Sequence, residues 1–213
     1  MLTFPKQAVV GRIMPKEAFY KNLKLSNEIR EHFVSDVKRI ILEYKLATDT
    51  INIPKGEEIS EILVLSIEQK KPDIDYRIVE NIARQNPHKI LFIIKYQDKG
   101  QLVVYFKKLY KTARMPLDEL KLEAKGFDLD SVWEGFIEQI ALQNDEFGMI
   151  NPELPIDERL KRQDDLLKLK KRIEKLERLS RNEIQPKKKF DLYTQLQGLK
   201  KLLENGGEEK WKS

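Results

Sequence analysis

The stretch EILVLSIEQKK, residues 61–71, contains two residues whose types and spacing could do metal-dependent chemistry, Glu68 and Lys70. Side chains two positions apart on a strand point to the same face of a sheet, so this carboxylate and this ammonium group would stand together. In metal-dependent nucleases such a pair works with a second acid, which helps to hold Mg²⁺ while the lysine assists the attacking water. Candidates for the second acid are Asp49, Glu58 and Glu61.

The pair also has a simpler interpretation, in which the strand ends in solvated charges. A Glu-x-Lys pattern arises often by chance in a chain with 40 Lys and Arg and 35 Asp and Glu among 213 residues. None of the candidate acids follows a proline, as the acid of that nuclease motif does. We therefore favour the solvated strand end and keep the nuclease as an alternative.

Composition excludes several other kinds of site. The chain has no cysteine and two histidines, which excludes thiolate metal sites and leaves too few imidazoles for a multi-histidine zinc site. It has no glycine-rich phosphate loop and no nucleophile elbow. No metal and no cofactor is predicted, and an enzyme is not the favoured class. Without a signal peptide or an apolar run of about 18 residues, the expected location is cytoplasmic.

Charge is distributed unevenly along the chain. Residues 1–155 contain 23 Lys and Arg against 24 Asp and Glu, whereas residues 156–213 contain 17 against 11. The net charge of +5 therefore comes from the last quarter of the sequence, which indicates an anionic partner for that segment. Basic residues compatible with phosphate contacts form two groups in the sequence. They are Lys107, Lys108, Lys111 and Arg114 around Tyr110, and Lys170, Lys171, Arg172, Lys187, Lys188 and Lys189 in the tail.

These residues need elements to position them, and hydrophobic periodicity predicts an α-β-β-α-β-β order. The predicted elements are a helix over 15–46, strands over 50–54 and 61–69, a helix over 73–87, and a β-hairpin from strands 88–96 and 101–110. One more helix is predicted over 129–142. The expected fold class is α+β, a small and mostly antiparallel sheet with packed helices, in a domain over residues 1–150.

Residues 151–213 are predicted to form a separate basic helical tail, after the turn-rich boundary segment NDEFGMINPELP. Two apolar stripes joined near Pro186 indicate a helical hairpin or coiled-coil arm. Because such charged helices are marginal alone, the stripes need each other, the first domain or another chain. We expect them to bind a partner protein or a second copy through Leu166, Leu169, Ile173, Leu176, Leu196, Leu199 and Leu203.

Nearly the whole chain resembles one family. The stretches NPHKILFIIKYQDKGQLVVYFK, YKTARMP and FDLDSVWEGFIEQIA are similar to domain-of-unknown-function family 4391 of bacteria and archaea. So are PKEAFYKNLKLSNEIREHFVSDVKRIILEYKLATDTINI and the tail RIEKLERLSRNEIQPKKKFDLYTQLQGLKKLL, apart from Pro186, where the commoner tail pattern continues its helix. The resemblance brings no catalytic residues with it.

The resemblance implies an accessory role, because members of that family are encoded beside DNA methyltransferases and helicases of restriction-like loci. Our leading hypothesis is a non-catalytic accessory subunit of a DNA-processing or antiphage defence system. It would dock a larger helicase or methyltransferase and bind nucleic acid through its tail. The first alternative is a Mg²⁺-dependent, restriction-endonuclease-like nuclease using Glu68, Lys70 and Asp49. The second alternative is a stand-alone nucleic-acid-binding homo-oligomer that assembles through the tail.

Overall fold

A computed structural model describes residues 2, 4–142, 151 and 153–204, apart from the side chain of Tyr20. The chain divides into two compact units, Met1–Gln143 and Asn144–Ser213, called here the body and the tail unit. The predicted boundary after residue 150 lies within residues 143–150, outside the described residues.

The body contains one seven-stranded sheet in the order β1-β2-β3-β4-β5-β6, with β7 paired to β5. Every pairing is antiparallel except that of β3 with β4. A parallel pair needs a crossover connection, which the helix α4 supplies here. The strands are β1 Val9–Met14, β2 Val37–Ala47, β3 Glu61–Gln69, β4 Lys89–Tyr96, β5 Lys99–Phe106, β6 Lys108–Lys111 and β7 Met115–Pro116.

Helices pack on the sheet of the body, and two long helices form the tail unit. In the body they are α1 Lys16–Asn22, α2 Asn27–Asp36, α3 Thr48–Ile51, α4 Tyr76–Gln85 and α5 Leu129–Ala141. In the tail unit they are α6 Ile156–Asn182 and α7 Pro186–Glu204. The predicted α+β class with a mostly antiparallel sheet is confirmed, and α6 and α7 pack against each other as a helical hairpin.

The core follows the alternation of side chains along the strands. One face of the sheet packs with α2 and α4 through buried residues that include Phe33, Ile67, Ile78 and Phe92. On the other face, Phe4 contacts the rings of Tyr44, in β2, and Phe136, in α5, with ring centroids 5.1 and 6.1 Å apart. The central strands β3 and β4 are therefore covered on both faces, which explains their nearly continuous apolar sequences.

The helix predicted over 15–46 is divided into α1 and α2, with Ser26 as the N-cap of α2, and the prediction is wrong beyond Asp36, because β2 begins at Val37. Two register irregularities interrupt the pairing of β2 with β3, between Val37 and Arg39 and between Leu42 and Tyr44. Each irregularity shifts the alternation of inward and outward side chains. Val37, Ile40 and Tyr44 are consequently all buried, three and four residues apart. The buried residues of this bulged strand therefore have the spacing that is typical of an amphipathic helix.

Two smaller predictions of secondary structure are also corrected, and one strand is added. No strand forms over 50–54, because α3 ends at Ile51 and the residue after it, Asn52, is left-handed (φ +55°). The strand predicted over 101–110 is divided into β5 and β6, because Lys107 is left-handed (φ +60°) and turns the chain. The edge strand β1 was not predicted.

Candidate functional site

Glu68 and Lys70 do not act on a common centre in the structure. The Glu68 carboxylate is bonded to the Arg39 guanidinium at 2.6 Å and lies 3.9 Å from the Lys38 ammonium group. The chain bends after β3, and the Lys70 ammonium group donates instead to the carbonyl of Val34 in α2, at 2.8 Å. The carboxylate is held by β2, and the ammonium group by a helix.

The candidate second acids lie at the far end of β3 from Glu68. In the β2–β3 ladder Ala47 pairs with Glu61, whereas Arg39 pairs with Glu68. Seven residue steps of strand separate Glu61 from Glu68, which is roughly 23 Å. Asp49 follows Ala47 in α3, and so it belongs to that distant end. A metal ion binds carboxylate oxygens within about 2.6 Å, so it could not join Asp49 to Glu68.

The structure brings a different acid, Glu43, to the face of the sheet from which Glu68 projects. Glu43 lies at the second irregularity of β2, and bulges often redirect side chains beside functional sites. Its carboxylate accepts hydrogen bonds from the Ser66 hydroxyl and from the Lys95 ammonium group, each at 2.6 Å. Ser66 and Glu68 are two residues apart on β3, so the three strands share one polar cluster. We call Arg39, Glu43, Ser66, Glu68 and Lys95 the sheet cluster.

Sequence analysis missed Glu43 because residues 15–46 were interpreted as a helix. Within a helix, Glu43 is one acid among several on a charged surface. Its position between Leu42 and Tyr44 is the one available signal, since an acid inside an apolar strand must find a partner when it is buried. The partner, Lys95, is 52 residues away in the sequence, and only the tertiary fold identifies it.

The electrostatics of the sheet cluster keep Glu43 ionised. Burial raises the pKa of its carboxyl, but the hydrogen bonds from Lys95 and Ser66, with the charges of Lys95 and Arg39, outweigh burial and lower the pKa. The side chains of Glu43 and Lys95 are only 15% and 16% exposed, so the pair is shielded from solvent. Two anions and two cations balance within the cluster.

Replacing Glu43 by Gln is expected to destabilise the body by about 1–3 kcal/mol at pH 7, because Lys95 loses its counterion in a shielded position. Since folding lowers the pKa of Glu43, its contribution is complete above the unfolded pKa of about 4.3 and is lost as the pH falls through the folded pKa. The difference in the free energy of unfolding between wild type and Glu43→Gln should therefore become smaller as the pH falls. Thermal unfolding between pH 7 and pH 3 measures it.

The exposed Glu134→Gln variant is the control for that measurement. It should stay within about 0.5 kcal/mol of wild type at every pH, as surface substitutions usually do. A difference for Glu43→Gln that is constant with pH would contradict the ion-pair account.

In the part of the chain that the structure describes, Glu43 and Lys95 of the sheet cluster line one small cavity. The cavity beside Glu43 and Lys95 has a volume of about 10 Å³, and its other lining residues are Leu2, Tyr44, Ile93, Leu117 and Leu120. A cavity of that volume has room for about one water molecule. Among the described residues, no group of three or more His, Asp or Glu side chains could hold a metal ion.

The basic residues predicted around Tyr110 are divided between two faces of the sheet. Lys108 and Lys111 are three positions apart on β6, so strand alternation points them to opposite faces. The Lys108 ammonium group lies 4.9 Å from the centre of the Tyr110 ring, and that of Lys111 lies 4.0 Å from the centre of the Tyr76 ring, at the start of α4. Lys107, in the turn, lies over Phe106 at 5.5 Å, and Arg114 is half-buried. These four cations do not form one basic patch.

The leucines predicted to bind a partner lie in the contact between α6 and α7. Leu169, Ile173, Leu176 and Leu196 are buried together between α6 and α7. Leu192, Leu199, Leu202 and Leu203 pack against them, partly buried, and Leu166 is half-buried on α6. We call this apolar contact the seam. Because the two helices cover each other, the seam leaves little apolar surface for another protein.

The hairpin has exposed apolar residues elsewhere, near its turn. Ile184 is 91% exposed, Phe190 69% and Tyr193 53%. The three predicted tail lysines Lys187, Lys188 and Lys189 occupy the first turn of α7, next to them, and are exposed. Lys171 and Arg172 are also exposed, on α6, and Lys170 is half-buried. Exposed aromatic rings among cations were not singled out in the sequence, where the leucine periodicity dominates this segment.

Comparison with known proteins assigns a family. The model of a domain of unknown function (DUF4391) matches residues 2–203. The chain belongs to this family. No curated protein and no solved structure matches the chain.

The matched residues extend from the start of the body through almost all of α7. The hairpin is therefore a part of the family's pattern, as the body is. None of the helices in the described residues is long and apolar enough to span a bilayer.

Proposed function

We propose that this DUF4391 protein is a non-catalytic accessory subunit of a DNA-processing or restriction-like defence system. In this proposal the hairpin binds the nucleic-acid backbone and the body docks a larger protein, a helicase or a methyltransferase. The observation that carries the proposal is the concentration of positive charge in the hairpin. The body, residues 1–143, contains 23 Lys and Arg against 21 Asp and Glu. Residues 156–204 contain 15 Lys and Arg against nine Asp and Glu.

The packing of the hairpin supports this use of its charge. The apolar stripe of each helix is covered in the seam, so the cations lie on the remaining, solvent-facing surfaces. Lysines and arginines that neutralise phosphates release condensed counterions, and this release supplies most of the affinity of non-specific nucleic-acid binding. The sheet cluster of the body, in contrast, is internally balanced.

Docking of a larger protein is assigned to the body, because the leucines of the hairpin are covered. The strand β1 is at the edge of the sheet and exposes Val9, Val10 and Ile13. An edge strand offers unpaired backbone groups to an added strand. The resemblance noted from the sequence supplies the class of partner. Sedimentation at the concentrations used for binding would separate an accessory monomer from a nucleic-acid-binding homo-oligomer.

The proposal is tested by the salt dependence of binding. Fluorescence anisotropy of a labelled 20-base-pair duplex should show an affinity for the full-length protein that falls steeply between 50 and 200 mM salt. If the hairpin neutralises about four phosphates, log K against log salt has a slope of roughly −3.6. A flat salt dependence, or no binding at 50 mM salt, would contradict nucleic-acid binding by the hairpin.

A second candidate function is a Mg²⁺-dependent nuclease, and one observation favours it. Glu43 and Glu68 project from neighbouring strands onto one face of the sheet, where Lys95 contacts Glu43. Two carboxylates and a lysine are the groups that metal-assisted hydrolysis of a phosphodiester uses. We rank the nuclease below the accessory subunit because Arg39 and Lys95 already neutralise both acids. The test is DNA cleavage in the presence of Mg²⁺. If wild type cleaves DNA and both Glu43→Gln and Glu68→Gln abolish the cleavage, the nuclease becomes the leading candidate.

A further inference from the structure

Five residues form a line along the outer side of α7. Lys187, Phe190, Tyr193, Gln197 and Lys201 follow one another at intervals of three and four residues, which places them on one face of the helix. Four of the five are exposed and Gln197 is half-buried. We call this line the aromatic stripe.

The aromatic stripe is separate from the seam. At 100° per residue, Phe190 lies about 120° around the helix from Leu196, the most buried residue of α7. Tyr193 is closer to the seam, about 60° around the helix from Leu196. Phe190 and Tyr193 are nevertheless 69% and 53% exposed, so much of each ring is not covered by the seam. Contact between an exposed aromatic ring and water is unfavourable. A ligand that covers the ring removes this contact, and the buried apolar area contributes to the free energy of binding.

Two cations flank the rings. Lys187 and Lys201 lie at the two ends of the stripe, about 21 Å apart along the helix axis. The acids Glu183 and Asp191 line a neighbouring groove with Leu179, Lys188, Leu192 and Gln195, and the exposed Glu204 follows Lys201 by three residues. A ligand on the stripe thus meets two aromatic rings between two cations.

We propose that the aromatic stripe binds single-stranded nucleic acid, with unpaired bases stacked on Phe190 and Tyr193 and phosphates beside Lys187 and Lys201. This inference rests on the proposed nucleic-acid function and deepens it, because it names the form of nucleic acid that the hairpin prefers. Cations that track a backbone, with rings for successive bases, are the features by which proteins hold single strands. A duplex keeps its bases stacked inside, so it can use the cations but not the rings.

The test compares single strands with duplexes on the full-length protein. Labelled 15-nucleotide oligo-dT and a 15-base-pair duplex are titrated against wild type and Phe190→Ala/Tyr193→Ala. Stacking of one base contributes roughly 5- to 150-fold in affinity. We expect the double variant to lose at least about 25-fold for the single strand and less than about 2-fold for the duplex.

Two further variants control for folding and for surface aromaticity. Phe190→Trp/Tyr193→Trp retains the rings, so it should keep the single-strand affinity, and its added tryptophan fluorescence should be quenched by oligo-dT. Phe127→Ala removes a ring that is 95% exposed in the body and should change neither affinity. Far-UV circular dichroism verifies that the hairpin remains helical in each variant.

The outcomes separate this inference from the proposed function. If wild type binds neither nucleic acid, the proposed function fails and the inference fails with it. If wild type binds both and the double alanine variant binds both as tightly as wild type, or weakens both equally, only the inference is overturned. Displacement of oligo-dT by poly-glutamate at equal total charge would also overturn it, in favour of an acidic polypeptide as the occupant.

Discussion

Replacing Ile173 by Asp is expected to unfold the hairpin while the body remains folded. Ile173 is 8% exposed and lies in the seam with Leu169, Leu176 and Leu196. The substitution removes a buried side chain, which typically costs 2–5 kcal/mol, and places an unpaired carboxylate in its place. In proteins most of the stability of a helix comes from the packing of its apolar face, so no other interaction would retain these highly charged helices.

Circular dichroism at 222 nm measures the result. The helices α6 and α7 contain 27 and 19 residues, about half of the helical residues in the described structure. The signal of Ile173→Asp should therefore fall by about half at 25 °C, and the remaining signal should melt in a single transition. Because the hairpin and the body are separate compact units, the body is expected to keep its own transition.

Leu167→Asp is the matched control for this variant. It introduces the same charge into the same helix, at an apolar residue that is 37% exposed. Its helical signal at 25 °C should equal that of wild type. Equal losses for the two variants would mean that the added charge, and not the seam, determines the stability of the hairpin. Loss of the whole signal in Ile173→Asp would mean that the two units fold together.

Hydrophobic pattern was sufficient to predict the elements that are regular. The strands β3, β4 and β5 are nearly continuous apolar runs and the helix α4 has an uninterrupted period of 3.6 residues, and their central residues were predicted correctly. The strand β2 was not predicted, because two irregularities of its pairing changed its period. Glu43 was missed with it. A change of register depends on the neighbouring strand, so the local hydrophobic pattern of β2 does not predict it.

Periodicity also identified the apolar face of each tail helix without identifying what covers that face. The same stripe of leucines is expected from a hairpin, from a coiled coil between chains and from a docking surface. The structure joins α6 and α7 through a short connection, so the nearest apolar surface belongs to the same chain. Pro186 has a positive role in this arrangement, because proline is favoured at the first position of a helix and α7 begins there.

Reversing the charge of Lys187, Lys188 and Lys189 is expected to weaken nucleic-acid binding strongly and to stabilise the hairpin slightly. The three lysines lie in the first turn of α7, where the peptide dipoles already produce a partial positive charge and no acidic residue offsets it. Glutamate at this end of a helix stabilises it by about 0.3–1 kcal/mol per residue. These lysines therefore cost stability, which a function in binding an anion would explain.

The expected loss of affinity follows from the number of phosphate contacts. Removing three cations should reduce the slope of log K against log salt by about 2.7. Three added carboxylates also repel the backbone, so we expect a loss of at least about 100-fold in duplex affinity at 100 mM salt. Anisotropy titrations measure the affinity, and thermal unfolding followed at 222 nm measures the stability of the hairpin.

A matched reversal in the body separates a local contact from the effect of net charge. Lys6, Lys21 and Lys24 are exposed, and their replacement by Glu changes the net charge by the same amount. Charges that lie beyond the screening distance of about 8–10 Å from the bound phosphates contribute little at this salt concentration. If the hairpin alone contacts the phosphates, duplex affinity should fall by less than about 3-fold in this control. If both triple variants lose affinity equally, net charge alone attracts the nucleic acid, and the first turn of α7 is not its binding site.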